Sequence, residues 1–219
     1  MFKRKYTSSD ILLIAMNLVP LYGVCLLNWD PKQMFLIYCL ETIIIGLLQV
    51  FKMSLVTIVK KTGNWQAGNE KLHVNGWFII LFFIVHYGLF VLIQMSIFFG
   101  VSGLLHTRPF GMFTFMLHIS DYISKDSSLV LYGFIFVYSI RMVMDFIISG
   151  EYKNANLSYL MFQPYPRIFL QQFVVILGSM FLVFGAGKIF MFIFVVTKIW
   201  FELFINFDKI LLKQSAFSK

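Results

Sequence analysis

The sequence predicts an all-α fold: a polytopic transmembrane helix bundle of about six spans, with both termini cytoplasmic. An amphipathic segment is expected on the outer side, between spans three and four. Three observations predict this. The chain is 59% apolar, 19% aromatic and only 13% charged, and its 27 Phe residues would overfill the core of a soluble domain of this length. Apolar runs such as Trp77 to Gly100 exceed the ~20 helical residues that cross a bilayer. The basic residues behind the net charge of +8 gather at the ends of these runs. That placement marks topology; it does not form the single stripe a nucleic acid would need. Lipid is therefore the expected partner, and nucleic acid is not.

One transmembrane domain is expected over residues 1–219, with spans near 10–28, 34–59, 74–100, 128–149, 164–184 and 188–207. Lys3, Arg4 and Lys5 precede the first run, which resembles a signal peptide. The run from Ile11 to Leu27 is long and no small-residue cleavage site follows it, so it reads as an uncleaved first helix with Pro20 inside. Trp29-Asp30-Pro31 ends it, and the second span follows. Residues 60–73 are polar and contain Gly63 and Gly68, so they read as a loop before the third span.

From Leu104 to Ser127, Thr114, His118, Asp121 and Lys125 recur at helical spacing, opposite Met112, Met116, Ile119 and Ile123. This pattern predicts a helix lying at the interface or lidding the bundle, with an ordinary connecting loop as the alternative. The fourth span follows, then a polar loop from Glu151 to Ser158. Gln163-Pro164-Tyr165-Pro166 opens the fifth, and Gly185-Ala186-Gly187 turns the chain into the sixth.

With both ends inside, eleven of the 18 basic residues fall on the inner side and four, Lys32, Arg108, Lys125 and Lys188, on the outer. The remaining three, Lys52, Arg141 and Lys198, lie within spans. The bias sets the orientation.

The most informative residues are ionisable ones inside the apolar runs: Glu41, His86, Arg141, Asp145, Lys198 and Glu202. Lipid penalises such groups, so they are expected to face a shared interior. Tyr38, Glu41, Gln49 and Lys52 fall near one face of the second helix. By helical rise His86 lies roughly 18 Å above the inner boundary and Glu41 roughly 10 Å below the outer one, so the two could meet. Such a contact would carry protons, hold a metal or merely satisfy both groups. Arg141–Asp145 and Lys198–Glu202 each stand one turn apart and could neutralise locally, a purely structural role. Asn17 and Gln172 add neutral polar groups, while Arg167 is placed to snorkel to the headgroups.

Cys25 and Cys39 read as buried apolar residues, with a bridge between them as the alternative. No HExxH, GxSxG or P-loop pattern is present, and the sequon at Asn156 falls on the expected cytoplasmic side.

Three stretches together resemble a known family. Asn17-Leu18-Val19-Pro20-Leu21-Tyr22-Gly23-Val24 with Trp29 resembles the opening of the domain-of-unknown-function 6498 family of bacterial integral membrane proteins. Tyr38-Cys39-Leu40-Glu41-Thr42 with Ile45-Gly46 resembles its Tyr-Trp-x-Glu-Asn element. Gln163 to Ile168, through Gly178, and Lys198 to Glu202 resemble its C-terminal half. The resemblance implies a multi-pass protein of the bacterial cytoplasmic (inner) membrane with no established activity. It adds weight to Glu41, His86, Tyr165, Arg167 and Lys198. This chain departs from the pattern at Gln172, where relatives are expected to carry His, at Thr42 (Asn) and at Glu202 (Asp). A metal or haem held by two family histidines would lack one ligand here.

Three functions fit this reading. The first is permeation or transport of protons, ions or a small solute through the polar site. The second is a non-catalytic scaffold or partner subunit, in a homo-oligomer or with another membrane protein. The third, an enzyme or redox protein with Glu41 and His86 as metal ligands or acid–base groups, ranks lower. No catalytic residue and no cofactor is assigned.

Overall fold

A computed structural model describes residues 8–60, 63–67, 70–102 and 122–204. The chain forms α1 (Ser8–Leu26), α2 (Pro31–Lys60), β1 (Gly63–Ala67), β2 (Glu70–Val74) and α3 (Gly76–Ser102). After residues 103–121 it continues with α4 (Lys125–Met142), α5 (Leu157–Phe162), α6 (Tyr165–Val183) and α7 (Gly187–Phe204). The expected amphipathic segment lies almost wholly outside the described residues, His118 and Asp121 included.

α2 is the central helix. Met34 to Thr42, nine residues in a row, are all buried, which a helix achieves only with neighbours on every side. The neighbours pack in the sequence α4–α1–α7–α6–α3, and each of the five also touches α2. Gly46 lets α3 come close, because a Cβ there would lie 2.5 Å from Tyr87 Cε1. Away from this axis large apolar side chains face outward: Trp77, Phe78, Leu81, Val85 and Leu89 of α3 are all exposed. Water would penalise so wide an apolar face. Among the described residues, helices over Pro31–Lys60, Gly76–Gly100 and Lys125–Ile148 are long and apolar enough to cross a membrane.

The helix ends follow from local chemistry. Asn28 adopts φ 54°, a left-handed conformation Asn tolerates, just past α1. Ser124 caps α4 by accepting from the Ser127 N–H at 3.2 Å. Lys32 donates to the Ser102 carbonyl at 3.0 Å and Lys188 to Asn28 Oδ1 at 2.9 Å, which ties one end of the bundle. Lys60 donates to the Ala155 carbonyl at 2.6 Å at the other.

Three details depart from the sequence reading. The segment expected as a loop contains an antiparallel hairpin, with Gly63 opposite Val74 and Ala67 opposite Glu70. The overlooked signal is Gly68-Asn69, a two-residue connection typical of tight hairpins. The fourth helix does not stay α to its end: Val143–Ile148 is π-helical. A short α5 also precedes the fifth long helix, inside and beyond the polar loop expected at 151–158. The break between α5 and α6 has a covalent cause. The carbonyl of Leu160 would normally bond the N–H four residues on, but that residue is Pro164 and has none. The Leu160 oxygen accepts instead from the Gln163 N–H at 3.3 Å and from Gln49 Nε2 of α2.

Candidate functional site

The site is built on the middle of α2, where Glu41 is fully buried. A carboxylate there must be protonated or paired. Lys198 of α7, 4% exposed, donates its ammonium to Glu41 Oε2. Tyr138 of α4 donates its hydroxyl to Oε1. Both carboxylate oxygens are therefore engaged, by two different helices. The Lys198 Nζ also lies 4.5 Å from the Tyr38 ring centre and 5.1 Å from that of Phe134. These faces stabilise a dehydrated cation, by about 2 kcal/mol in favourable cases. The Arg167 guanidinium carbon sits 5.6 Å from the Tyr138 ring centre, which brings a second cation to the cluster.

Tyr38 links the cluster to α1: its hydroxyl donates to the Asn17 carbonyl at 3.0 Å, and Asn17 Nδ2 donates to the Leu13 carbonyl at 3.0 Å. Of the residues singled out in the sequence, Glu41, Lys198, Tyr38, Asn17 and Arg167 thus come together. The polar stripe on α2 divides lower down. Gln49 turns to α5, and the Lys52 ammonium lies 5.2 Å from the Phe146 ring centre.

One expected contact is corrected. Glu41 and His86 bond to different partners: His86 Nδ1 is 2.6 Å from the Tyr165 hydroxyl of α6. The position facing α2 belongs to the next residue, Tyr87, whose hydroxyl donates to the Thr42 carbonyl at 2.8 Å. One residue is a ~100° rotation about a helix axis, enough to redirect a side chain to another neighbour. Lys198 has Glu41, on another helix, as an ion-pair partner; its expected pairing with Glu202 rests on a side chain outside the described residues.

Arg141 and Asp145 do pair, at 3.8 Å, but with 19% and 52% side-chain exposure they sit at the margin of the bundle. Gln172 is half-buried; the contact with the cluster comes from its neighbour Gln171, whose Nε2 donates to the Tyr38 carbonyl. Both cysteines are reduced, Cys39 buried and Cys25 exposed. Among the described residues no group of three or more His, Cys, Asp or Glu side chains gathers where it could hold a metal ion.

Sequence reasoning missed Tyr138, Thr42, Gln94 and Gln171. Tyr138 carried a signal: it stands three residues, about one turn, before Arg141 on the same helix. The glutamines stood in view within apolar runs at 94 and 171. Their roles depend on helix rotation, which one sequence does not reveal.

The arrangement is chemically simple. It holds an ammonium, a carboxylate and a phenol in one hydrogen-bonded row, shielded by aromatic rings. Such a row can hold a charge pair, or redistribute its protons to become neutral. No curated protein and no solved structure matches the chain. The family described as "Family of unknown function (DUF6498)" matches residues 1–216, and the chain belongs to that family.

Proposed function

We propose that the chain is a multi-pass protein of the bacterial cytoplasmic membrane that moves protons across it, with Glu41, Lys198 and Tyr138 as the intramembrane relay. One observation carries this reading: three titratable side chains from α2, α7 and α4 form a continuous hydrogen-bonded row around a fully buried carboxylate. Apolar side chains of similar volume would pack such a core as well or better. Ionisable groups at membrane depth characteristically mark ion or proton pathways.

The chemistry fits a relay. Passage of the shared proton from the Lys198 ammonium to Glu41 leaves a neutral amine and a neutral acid, which removes the cost of two buried charges. Tyr138 on the opposite oxygen gives Glu41 a second neighbour through which a proton enters or leaves. The motif resemblance supports the bacterial membrane.

The test is proton flux into proteoliposomes carrying an internal pH-sensitive dye, driven by an imposed potential. Wild-type protein should acidify the lumen faster than empty vesicles, and Glu41→Gln should abolish the difference. Absent wild-type flux, or flux unchanged in Glu41→Gln, ends the proposal.

A second reading is a non-catalytic scaffold, alone as a homo-oligomer or with another membrane protein. The close enclosure of Lys198 by Tyr38 and Phe134 favours it. On that reading a Glu41→Gln/Lys198→Met protein keeps its partners and the wild type conducts nothing. An enzyme built on Glu41 and His86 together has no geometric support, since each bonds to a different helix.

A further inference from the structure

Beside the charged row, α2, α3 and α6 meet at a second polar cluster, and two of its atoms are left wanting. Gln94 of α3 is fully buried and Gln171 of α6 is 2% exposed. Gln171 Nε2 donates to the Tyr38 carbonyl. The Thr42 hydroxyl lies 3.3 Å from that same carbonyl and 3.4 Å from Gln94 Oε1. The two amides therefore converge on one stretch of α2. Yet Gln94 Nε2 and Gln171 Oε1 have no hydrogen-bond partner. Gln94 also lies against the Cys39 thiol, but sulfur is a weak acceptor.

Each unsatisfied buried amide atom costs about 1 to 3 kcal/mol. The two atoms are complementary, one an N–H donor and one a carbonyl acceptor. The geometry points to a single buried water molecule held between Gln94 and Gln171, accepting from the first and donating to the second. Buried waters occupy such places, next to polar groups the protein leaves unmatched.

Water suits the site whichever way the Gln94 amide is turned. The Thr42 hydroxyl proton is committed to the Cys39 carbonyl at 2.8 Å. Turning the Gln94 amide by 180° would then let its NH2 donate to Thr42 Oγ1 and leave its oxygen wanting instead. A water serves both arrangements: it accepts and donates in one, and donates twice in the other. A cation suits only the second, and an anion neither, because Gln171 presents an oxygen in both. This inference stands whether or not the chain moves protons.

The test combines a density map of the wild-type protein in lipid nanodiscs with melting temperatures of three variants. The map should show an ordered water between the two amides; close-packed side chains there overturn the proposal. Gln94→Leu should lower the melting temperature of the wild type by about 2 to 4 °C, because it strips the water of a partner. The same change made in Gln171→Leu should cost nothing or raise the melting temperature, since the water is already lost. A rise in both backgrounds means a dry, unpaired Gln94 and overturns the proposal. Equal losses in both backgrounds mean that the two amides share no ligand, and overturn it too.

Discussion

Lys198 and Glu41, 157 residues apart in the chain, share a hydrogen-bonded ion pair at the centre of the bundle, with 4% and 0% side-chain exposure. Each is the reason the other is tolerated. Removing one member leaves a buried charge uncompensated, so Glu41→Gln and Lys198→Met should each destabilise the protein by about 3 to 5 kcal/mol. The double variant should recover most of the loss. Reversible denaturation in mixed micelles measures this, and additive losses would contradict the pairing.

Tyr138 holds the other carboxylate oxygen. Tyr138→Phe keeps the ring and deletes the donor, so it should cost roughly 1 to 3 kcal/mol in the same assay. In a Glu41→Gln background the cost should shrink, because a neutral amide oxygen is the weaker acceptor.

The close approach of α3 to α2 at Gly46 makes a steric prediction. The new methyl of Gly46→Ala would meet the Tyr87 ring at 2.5 Å, and overpacking of this kind costs about 1 to 3 kcal/mol. Adding Tyr87→Leu should relieve the clash, giving a double variant more stable than the sum of the single losses implies. A thermal denaturation cycle reads the coupling directly.

At the start of α4, Ser124→Ala removes the side-chain acceptor for the Ser127 N–H. Loss of such a cap costs about 1 kcal/mol. Ser128→Ala, four residues along, removes only a hydroxyl bond back to the Lys125 carbonyl at 2.7 Å. It should change stability less, because no orphan N–H of the helix start loses its acceptor. Hydrogen exchange at the first turn of α4 would localise the effect.

The long helices were readable from apolar runs and their punctuation, because hydrophobic length and Pro or Gly breaks are local properties. The stripe of Tyr38 and Glu41 was readable for the same reason: spacing fixes what shares a face on one helix. Partners across helices were not. Spacing gave no sign that packing would set Glu41 against Lys198. It offered Glu41 to His86, while the turn of α3 gave that side to Tyr87 and sent His86 to Tyr165. Both contacts depend on how a helix is rotated about its axis. Among nearly uniform apolar residues, hydropathy gives no angle.

Gln49 and Gln171 fasten α2 to the α5–α6 segment at two levels, at the Leu160 and Tyr38 carbonyls. Their attachment points on α2 are roughly 16 Å apart along its axis. A hinge can turn about one rivet but not about two set that far apart. One rivet sits on each side of the break, so both halves of the broken helix are fastened to the central one.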